Sequence, residues 1–219
     1  MWRCMVCACF VLAVFPRLVL AEDTGIDIKL GTLGAGIEVA HAFNPSFALR
    51  LGYNGWNYSR TGTRDNIQYD EKLRLSTAAL LGEWYPFQGV FRFDLGLMYN
   101  GNKFDLTAKP SGNQTYTINN TTYTAAQVGS VTGKVDFRKT APYFGIGWGR
   151  AAGTGFSFLA DLGVLFQRAP RSTLTVICGT GVNCSTLQSD ANAEQARLDD
   201  SLHKFRYYPV ASIGIGYRF

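Results

Sequence analysis

Histidine is almost absent from this chain, which has only His41 and His203 among its 219 residues. Enzymes that cleave esters or amides usually need a nucleophile, a base and an orienting acid, and histidine is the commonest base. Neither histidine has a serine at the spacing of lipid-deacylating enzymes, and the two should lie at opposite ends of the fold. The sequence therefore predicts no catalytic residues and no enzyme, with a lipid-modifying activity kept as an alternative.

Long hydrophobic runs are also missing, because no segment after residue 21 approaches the roughly 20 apolar residues of a spanning helix. The amino terminus, MWRCMVCACFVLAVFPRLVLA, has a basic residue, about a dozen apolar residues and a small residue at Ala21. This layout is typical of a secretory signal. A membrane anchor is the alternative, but Pro16 and Arg17 interrupt the run. We predict a cleaved signal peptide over residues 1–21 and a mature domain over 22–219.

Net charge is small. The whole chain carries a formal +5, and removal of the signal, with Arg3 and Arg17, lowers it to +3. No basic stripe interrupts the mature sequence, so nothing in it is typical of a nucleic-acid interface. We expect no nucleic-acid partner.

Cysteine is scarce once the signal is removed. Of five cysteines, only Cys178 and Cys184 follow residue 21, and they lie close together in a polar stretch. In an exported chain two neighbouring cysteines predict a small disulfide. A metal pair is the alternative, although no histidine lies near enough to add a ligand. We expect no cofactor and no metal.

What the mature chain has in abundance is period-two alternation of apolar and polar residues. Such alternation over ten or more residues indicates strands whose two faces meet different surroundings. The carboxy-terminal stretch ends in aromatic residues on its apolar face. The alternating segments are SFALRLGYNGW, KLRLSTAALLGEWY, VFRFDLGLMYN, GFSFLADLGVLFQ and RYYPVASIGIGYRF.

The connections between these segments alternate between short and long. FNPSF, YPFQGV and GRAAGTG are tight turns rich in Asn, Pro and Gly, whereas about 60–70, 101–134 and 168–206 are long and polar. Short turns at one end and long loops at the other are typical of outer-membrane barrels. A soluble sandwich also has alternating strands, but the long strands and the aromatic residues at strand ends favour the barrel.

The strand count is left open by the pattern. Seven spanning segments begin near residues 25, 46, 71, 90, 135, 154 and 206. Bacterial single-chain barrels have even strand numbers, so we expect about eight. The eighth strand comes either from Thr24–Phe43, split at its glycines, or from part of residues 171–187.

Several motifs together resemble small Gram-negative outer-membrane barrels of the OmpA transmembrane-domain and OmpW-like group. They are the export signal, NPSFALRLGY, the YPF before a tight turn, APYFGIGWG and the terminal YRF. The resemblance implies an all-β, antiparallel, up-and-down barrel in the cell outer membrane. It also implies that Tyr217 and Phe219 are part of the signal read by the barrel-assembly machinery.

If the apolar faces look outward, several charged residues point into the lumen. An eight-stranded barrel is just wide enough for side chains to fill it, so unpaired charges there would be costly and Arg–Asp networks are expected. The network is either a structural plug or a narrow gated conduit. The predicted lumen charges are Arg50, Arg74, Arg92, Asp94, Asp161 and Arg218.

The long loops hold the other functional candidates. Ser189–Phe205 predicts a short helix, capped by Ser189 or Asn192, with Leu198, Leu202 and Phe205 on one face. This helix packs the last loop, closes the barrel mouth or forms a docking surface. We expect a structural or surface-interaction role carried by the loops, with a narrow channel for small or hydrophobic solutes as the alternative. The expected partners are outer-membrane lipid and lipopolysaccharide, the barrel-assembly machinery during biogenesis, and an extracellular ligand of unknown identity.

Overall fold

The computed structural model describes residues 23–64, 67–112 and 115–219, and the predicted signal peptide over residues 1–21 lies outside them. The described chain forms thirteen strands, one α-helix and a 3-10 turn at His203–Arg206. The elements are β1 (Thr24–Gly31), β2 (Gly34–Asn44), β3 (Phe47–Arg64), β4 (Ile67–Trp84), β5 (Phe91–Asn100), β6 (Lys103–Pro110), β7 (Thr115–Ile118), β8 (Thr121–Thr124), β9 (Val128–Asp136), β10 (Thr140–Trp148), β11 (Gly155–Phe166), β12 (Arg171–Cys178), α1 (Cys184–Leu202) and β13 (Tyr207–Arg218).

Eight of the described strands close into an antiparallel ring. The order is β1-β2-β3-β4-β5-β10-β11-β13, and β13 pairs back onto β1, with Gly25 opposite Arg218. The eighth strand comes from Thr24–Phe43 split at its glycines, since β1 and β2 meet at a tight turn. Gly34 has φ +99°, a left-handed conformation that glycine adopts readily. Residues 171–187 lie outside the ring.

The outward face of the ring is apolar. Aromatic residues cluster at the end with short turns, where the Trp84 and Phe93 rings lie 5.6 Å apart. At the opposite end Phe166 and Tyr207 form an edge-to-face pair at 5.6 Å. An apolar band between two aromatic girdles is the outer surface of a membrane barrel. The exposed aliphatic residues of this band include Ile28, Leu30, Ile37, Leu51, Leu80, Leu95, Leu97, Leu162, Ile213 and Ile215.

The strand predicted from residue 135 is interrupted. Val135 and Asp136 end β9, and the ring strand β10 begins at Thr140. Within β10, Pro142 pairs with Leu97 of β5 but lies just beyond the pairing with β11, which begins at Tyr143. Proline is tolerated at such a position because its missing N–H is not needed on the unpaired side.

Where the structure describes the long polar stretches, they are mostly strand and helix rather than loop. β3 and β4 each run for 18 residues and continue beyond the ring, and β6, β9 and β12 join them in the order β3-β4-β6-β9-β12. The hairpin β7–β8 and the helix α1 complete this outer part. We call β6–β9, β12 and α1, residues 103–136 and 171–202, the extracellular cap.

The cap has an apolar core of its own. The core residues are Tyr123, Val128, Val176, Leu187 and Ala191. The helix α1 begins earlier than the predicted Ser189, because the side chain of Asn183 accepts hydrogen bonds from the backbone N–H groups of Ser185 and Thr186. It buries Leu187 and Ala191 one turn apart, so its packing face differs from the predicted face that included Phe205. No helix of the described residues is long and apolar enough to cross a membrane.

Candidate functional site

The lumen is the first candidate site, and strand alternation decides which residues enter it. In β3 and β5 the inward residues include Arg50, Arg92 and Asp94, all at most 1% exposed. The neighbouring strand makes room for them with glycine. A Cβ atom at Gly147 would lie 2.7 Å from Cζ of Arg92, so only glycine leaves space for that guanidinium.

Arg50 lies at the centre of a buried ion cluster. Its Nε donates to Oε1 of Glu83 at 2.5 Å, and its Nη2 donates to Oδ1 of Asp94 at 3.1 Å. Its Nη1 bridges Glu38 at 3.2 Å and Asp161 at 3.3 Å. One guanidinium thus bonds to carboxylates from four strands, β2, β4, β5 and β11.

Arg92 is the second cation of the cluster. Its Nη2 pairs closely with Asp161, and its Nε donates to Oδ1 of Asp94 at 3.1 Å. Its Nη1 donates to the backbone carbonyl of Gly149 at 3.1 Å. Because these bonds connect β5, the residue that follows β10, and β11, Arg92 ties three neighbouring parts of the ring together.

Lys29 is the third cation. Its Nζ lies 2.6 Å from Oε1 of Glu38 and 3.8 Å from Oδ2 of Asp161. Ser212 donates to the same oxygen of Asp161 at 3.0 Å. The strands β1, β2, β11 and β13, around the closing seam, therefore share one cluster.

The cluster has one more carboxylate than it has cations. Lys29, Arg50 and Arg92 face four acids, and Oδ2 of Asp94 is buried without a hydrogen-bond partner in the described chain. Buried charges are stable only when paired and hydrogen-bonded. The four acids are Glu38, Glu83, Asp94 and Asp161.

A separate ion pair lies nearer the end with short turns. Arg218 pairs bidentately with Asp27, with Nη2 to Oδ2 at 3.2 Å, and its Nε donates to the carbonyl of Arg150 at 2.6 Å. These bonds join the last ring strand to the first. The closing seam is therefore held by side chains as well as by the backbone ladder.

Above the ion cluster, towards the long loops, the lumen is filled by apolar side chains. Leu33, at the tip of the β1–β2 hairpin, turns inward and is 3% exposed. Thr32 is bonded to β13 on both sides, because its N–H donates to the Ala211 carbonyl at 2.9 Å and its carbonyl accepts from Tyr208 at 2.7 Å. This apolar layer consists of Leu33, Ala79, Leu81, Met98, Ala141, Tyr143, Leu165 and Val210.

A layer of buried amides and hydroxyls follows nearer the mouth. Asn100 donates to Gln167 at 2.8 Å, and Asn54 donates to Thr77 at 3.3 Å. All four side chains are at most 2% exposed. Ionic, apolar and polar layers therefore fill the lumen in succession.

Five of the six predicted lumen charges lie inside the barrel, and Arg74 does not. Arg74 is exposed on the outward face of β4, in the part that extends beyond the ring. The prediction assigned the wrong face to β4, because it took the Leu81 face as outward. In fact Leu80 and Trp84 face outward, while Leu81 and Glu83 are buried.

Sequence reasoning missed several charged residues of the lumen. Asp27 and Lys29 alternate with Ile26, Ile28 and Leu30. This alternation alone would have predicted that both charged residues face the lumen. Anchoring the phase of β4 at Trp84, an aromatic residue before a tight turn, would have placed Glu83 inside. Glu38 lies in a glycine-rich segment with a weaker pattern.

The cap contains the second candidate site. Cys178 and Cys184 form a disulfide with Cα atoms 5.7 Å apart, which links the end of β12 to the start of α1. Asp190 accepts hydrogen bonds from Tyr123 at 2.5 Å and from Asn119 at 3.0 Å. These bonds hold the pKa of Asp190 below its ordinary value and raise the pKa of Tyr123. They fasten α1 to the β7–β8 hairpin.

The remaining predicted residues lie apart from both sites. Tyr217 and Phe219 are exposed on the outward face of the last strand, with ring centroids 5.3 Å apart. In β2, Nδ1 of His41 lies 2.9 Å from Oγ1 of Thr24. His203 follows α1, at the opposite end of the barrel. Among the described residues, no group of three or more His, Cys, Asp or Glu is placed to hold a metal ion.

Comparison with known proteins shows similarity in structure only. No protein-family model and no curated sequence matches this chain. The crystal structure of CarO from Acinetobacter baumannii has 22% identity, covers 91% of this chain and 99% of its own, and has a TM-score of 0.59. The crystal structure of CarO2 from the same organism has 20% identity, covers 90% of this chain and 98% of its own, and has a TM-score of 0.58. The crystal structure of a major outer membrane protein from Thermus thermophilus has 13% identity, covers 90% of this chain and 98% of its own, and has a TM-score of 0.42.

At these identities the two Acinetobacter structures show a shared fold alone. The closed ring, with its apolar band between two aromatic girdles, is itself the architecture of an outer-membrane β-barrel. The fold class and the outer-membrane location predicted from the sequence are confirmed. The narrower OmpA- and OmpW-like grouping stays a prediction.

Proposed function

We propose that this barrel is closed to solutes through its lumen and acts at the cell surface through its extracellular cap. The filled lumen carries the proposal. A straight path would have to pass Arg50 and Arg92, which are 1% and 0% exposed, and then the apolar layer at Leu33.

The energetics favour a plug over a gate. Removing one partner from a buried ion network leaves an uncompensated charge and costs about 3–5 kcal/mol. Arg50 has four carboxylate partners, so its displacement would leave several charges unpaired at once. The apolar layer would still close the mouth side, because Leu33 is fixed by the bonds of Thr32 to β13.

The cap has the properties of a binding platform. Function in barrels and other rigid scaffolds is commonly carried by the segments that connect the strands. Here those segments form a sheet with its own core, a disulfide and a helix, so their exposed side chains are held in fixed positions. A structural or surface-interaction role is thus supported by an ordered surface.

Cells that produce the wild-type chain or a cap-less chain test the proposal. In the cap-less chain, residues 101–139 and 167–206 are replaced by tight turns, and heat-modifiable migration shows that the barrel still folds. We expect adhesion to matrix-coated surfaces to fall to background while the barrier to large antibiotics is unchanged. Unchanged adhesion would contradict a surface role, and a lost barrier would favour envelope integrity.

A hydrophobic-solute role is the second candidate, favoured by the inner face of the extended sheet. Trp56 and Tyr58 are 54% and 49% exposed there, and Leu73 and Phe104 lie beside Tyr58 in register. These residues stand above the short β1–β2 hairpin, whose Gly34 approaches Trp56 closely. An apolar solute leaving water would find a surface there without entering the lumen.

Binding of a nonpolar fluorescent probe to the protein in nanodiscs tests this second candidate. We expect Phe104→Ser to weaken binding several-fold, because the substitution removes apolar area from the inner face. Phe158→Ser, on the lipid-facing side of β11, is the matched control and should leave probe binding unchanged. Equal effects of the two substitutions would eliminate the inner face as a binding surface.

A further inference from the structure

Basic side chains collect where the barrel emerges from the membrane on its extracellular side. Lys139 directly precedes Thr140, the cross-strand partner of Tyr99, and its Nζ lies 6.0 Å from the Tyr99 ring centroid. Arg206 directly precedes Tyr207 and lies 5.9 Å from that ring. Both cations therefore stand next to the girdle that marks the edge of the apolar band.

Three arginines converge on one cavity at this level. Arg138, Arg168 and Arg171 line a cavity of about 680 Å³ between the start of β10, the end of β11, the start of β12 and the end of α1. Arg168 follows the girdle residue Phe166 by two residues, which is about 7 Å of extended chain. Its φ of +61° is a left-handed conformation, uncommon for a residue with a side chain.

Among the described residues, the acids of this cavity form no ion pair with its arginines. Asp199 accepts from the backbone N–H and the hydroxyl of Ser172, both at 2.7 Å. Asp136 is opposite Arg171 in the ladder, yet no carboxylate of the described residues lies within 4.0 Å of a nitrogen of the three arginines. His203 also lines the cavity.

On the outward face of the extended sheet, basic residues outnumber acids three to one in the row that contains Arg171, which runs Arg171, Asp136, Lys103 and Arg74 from β12 to β4. Arg74 of β4 lies directly opposite Lys103 of β6, two like charges on one outward face. Like charges in register destabilise a sheet, and neither has an ion-pair partner among the described residues. An anion at this height would relieve the repulsion in both places.

We propose that Arg138, Arg168 and Arg171 form a phosphate-binding site for lipopolysaccharide of the outer leaflet. The site lies at the depth of the lipid headgroups, beside the aromatic girdle, and its charge is complementary to phosphate. Guanidinium groups bind phosphate oxygens bidentately, which suits a site built from arginine rather than lysine. A phosphorylated sugar headgroup would reach the cavity while its acyl chains pack on the apolar band.

Binding of rough-type lipopolysaccharide to the refolded mature chain in detergent tests the proposal. Each basic residue near an anionic lipid surface contributes about fivefold in affinity, so R138Q/R168Q/R171Q should weaken binding about a hundredfold. The matched control, R60Q/K109Q/R197Q, removes the same charge from positions away from the cavity and should change binding less than twofold. Dephosphorylated lipopolysaccharide should bind the wild type as weakly as the intact lipid binds the triple variant.

Heat-modifiable migration shows whether each variant is folded. If the triple variant fails to fold, R138Q alone should weaken binding about fivefold. Equal binding by the cavity and control variants, or equal binding of phosphorylated and dephosphorylated lipid, would overturn the proposal. Binding of inorganic phosphate as tight as that of lipopolysaccharide would also overturn it, because the site would then serve a free anion.

Discussion

The barrel and the cap bury different side chains although they are parts of one continuous sheet. Inside the ring, Arg50 and Arg92 are buried among carboxylates, whereas inside the cap Leu187 and Val176 pack against Val128. On the outer surfaces the contrast is reversed, with apolar residues on the ring and charged residues on the extended sheet. The ring presents aliphatic residues to its surroundings, and the extended sheet above it presents residues such as Arg74 and Lys103 on the same face.

The change along β4 shows that the surroundings of the sheet, lipid or water, decide which residues its outward face carries. On the outward face of this one strand, Trp84 and Leu80 are followed after a few residues by Arg74 and Lys72. Water excludes apolar groups and so drives the core of the cap. Lipid does not exclude them, so the ring relies on ionic and polar bonds in addition to the apolar layer around Leu33. The ring should therefore be sensitive to loss of charge and the cap to loss of apolar volume.

The largest effect is expected from Arg50→Met, which leaves four buried carboxylates without their shared cation. We expect a loss of about 3–5 kcal/mol in the free energy of unfolding, measured as the urea midpoint of the heat-modifiable band. Arg74→Met makes the same chemical change on the exposed face and should alter stability by no more than about 0.5 kcal/mol. Similar midpoints for the two variants would show that the ion cluster does not hold the ring.

Leu187→Ala tests the apolar core of the cap. Truncation of a fully buried leucine costs about 3 kcal/mol, so the cap should become sensitive to limited proteolysis while the urea midpoint of the ring is unchanged. Leu198→Ala, in the same helix but only half-buried, should have a clearly smaller effect. A loss of ring stability in Leu187→Ala would show that the two cores are not separate.

Removing the disulfide should have a smaller effect, also confined to the cap. A disulfide that closes a loop with a sequence separation of 6 stabilises the folded state by about 2 kcal/mol. The paired substitution C178S/C184S should therefore increase the rate of cap proteolysis, as should a reductant acting on the wild type. The reductant should have no effect on the substituted chain, and an effect there would point to another cause.

The smallest effect is a pH dependence at Asp190. Because its pKa is lowered in the folded cap, its contribution to stability is fully present above the ordinary aspartate value of about 4. That contribution is lost as pH falls below this value through the lowered pKa. Proteolysis of the cap by an acid-active protease should rise in this window for the wild type and stay flatter for Asp190→Asn. Parallel profiles would show that Asp190 does not fasten the helix.

Much of the ring was predictable because alternation is a local signal. In VFRFDLGLMYN the alternation of apolar and polar residues assigns each residue to a face, and the structure places Arg92 and Asp94 inside as expected. The pattern failed in KLRLSTAALLGEWY, where leucines occupy both faces. There the apolar layer of the lumen and the lipid both accept leucine, so hydrophobicity alone cannot assign the face, and Arg74 was misplaced.

The cap was less predictable because its pairing is not local. β12 pairs with β9 across more than thirty residues of chain, and neither strand has a strong apolar face. The helix was expected, yet its start depends on the side chain of Asn183, which caps it six residues before Ser189. The arginine cavity is lined by two connections, around Arg138 and around Arg168 and Arg171, and by the end of α1, and the distance between these segments in sequence hides the site.

Single-channel recording of the refolded mature protein in a planar bilayer, beside Arg92→Ala, tests the closed lumen most directly. A folded, heat-modifiable wild-type barrel should show no discrete openings at any applied voltage. The variant should also stay silent, because the apolar layer around Leu33 still fills the mouth side. Discrete wild-type openings whose size changes in Arg92→Ala would contradict the account and show a conduit controlled by the lumen charges.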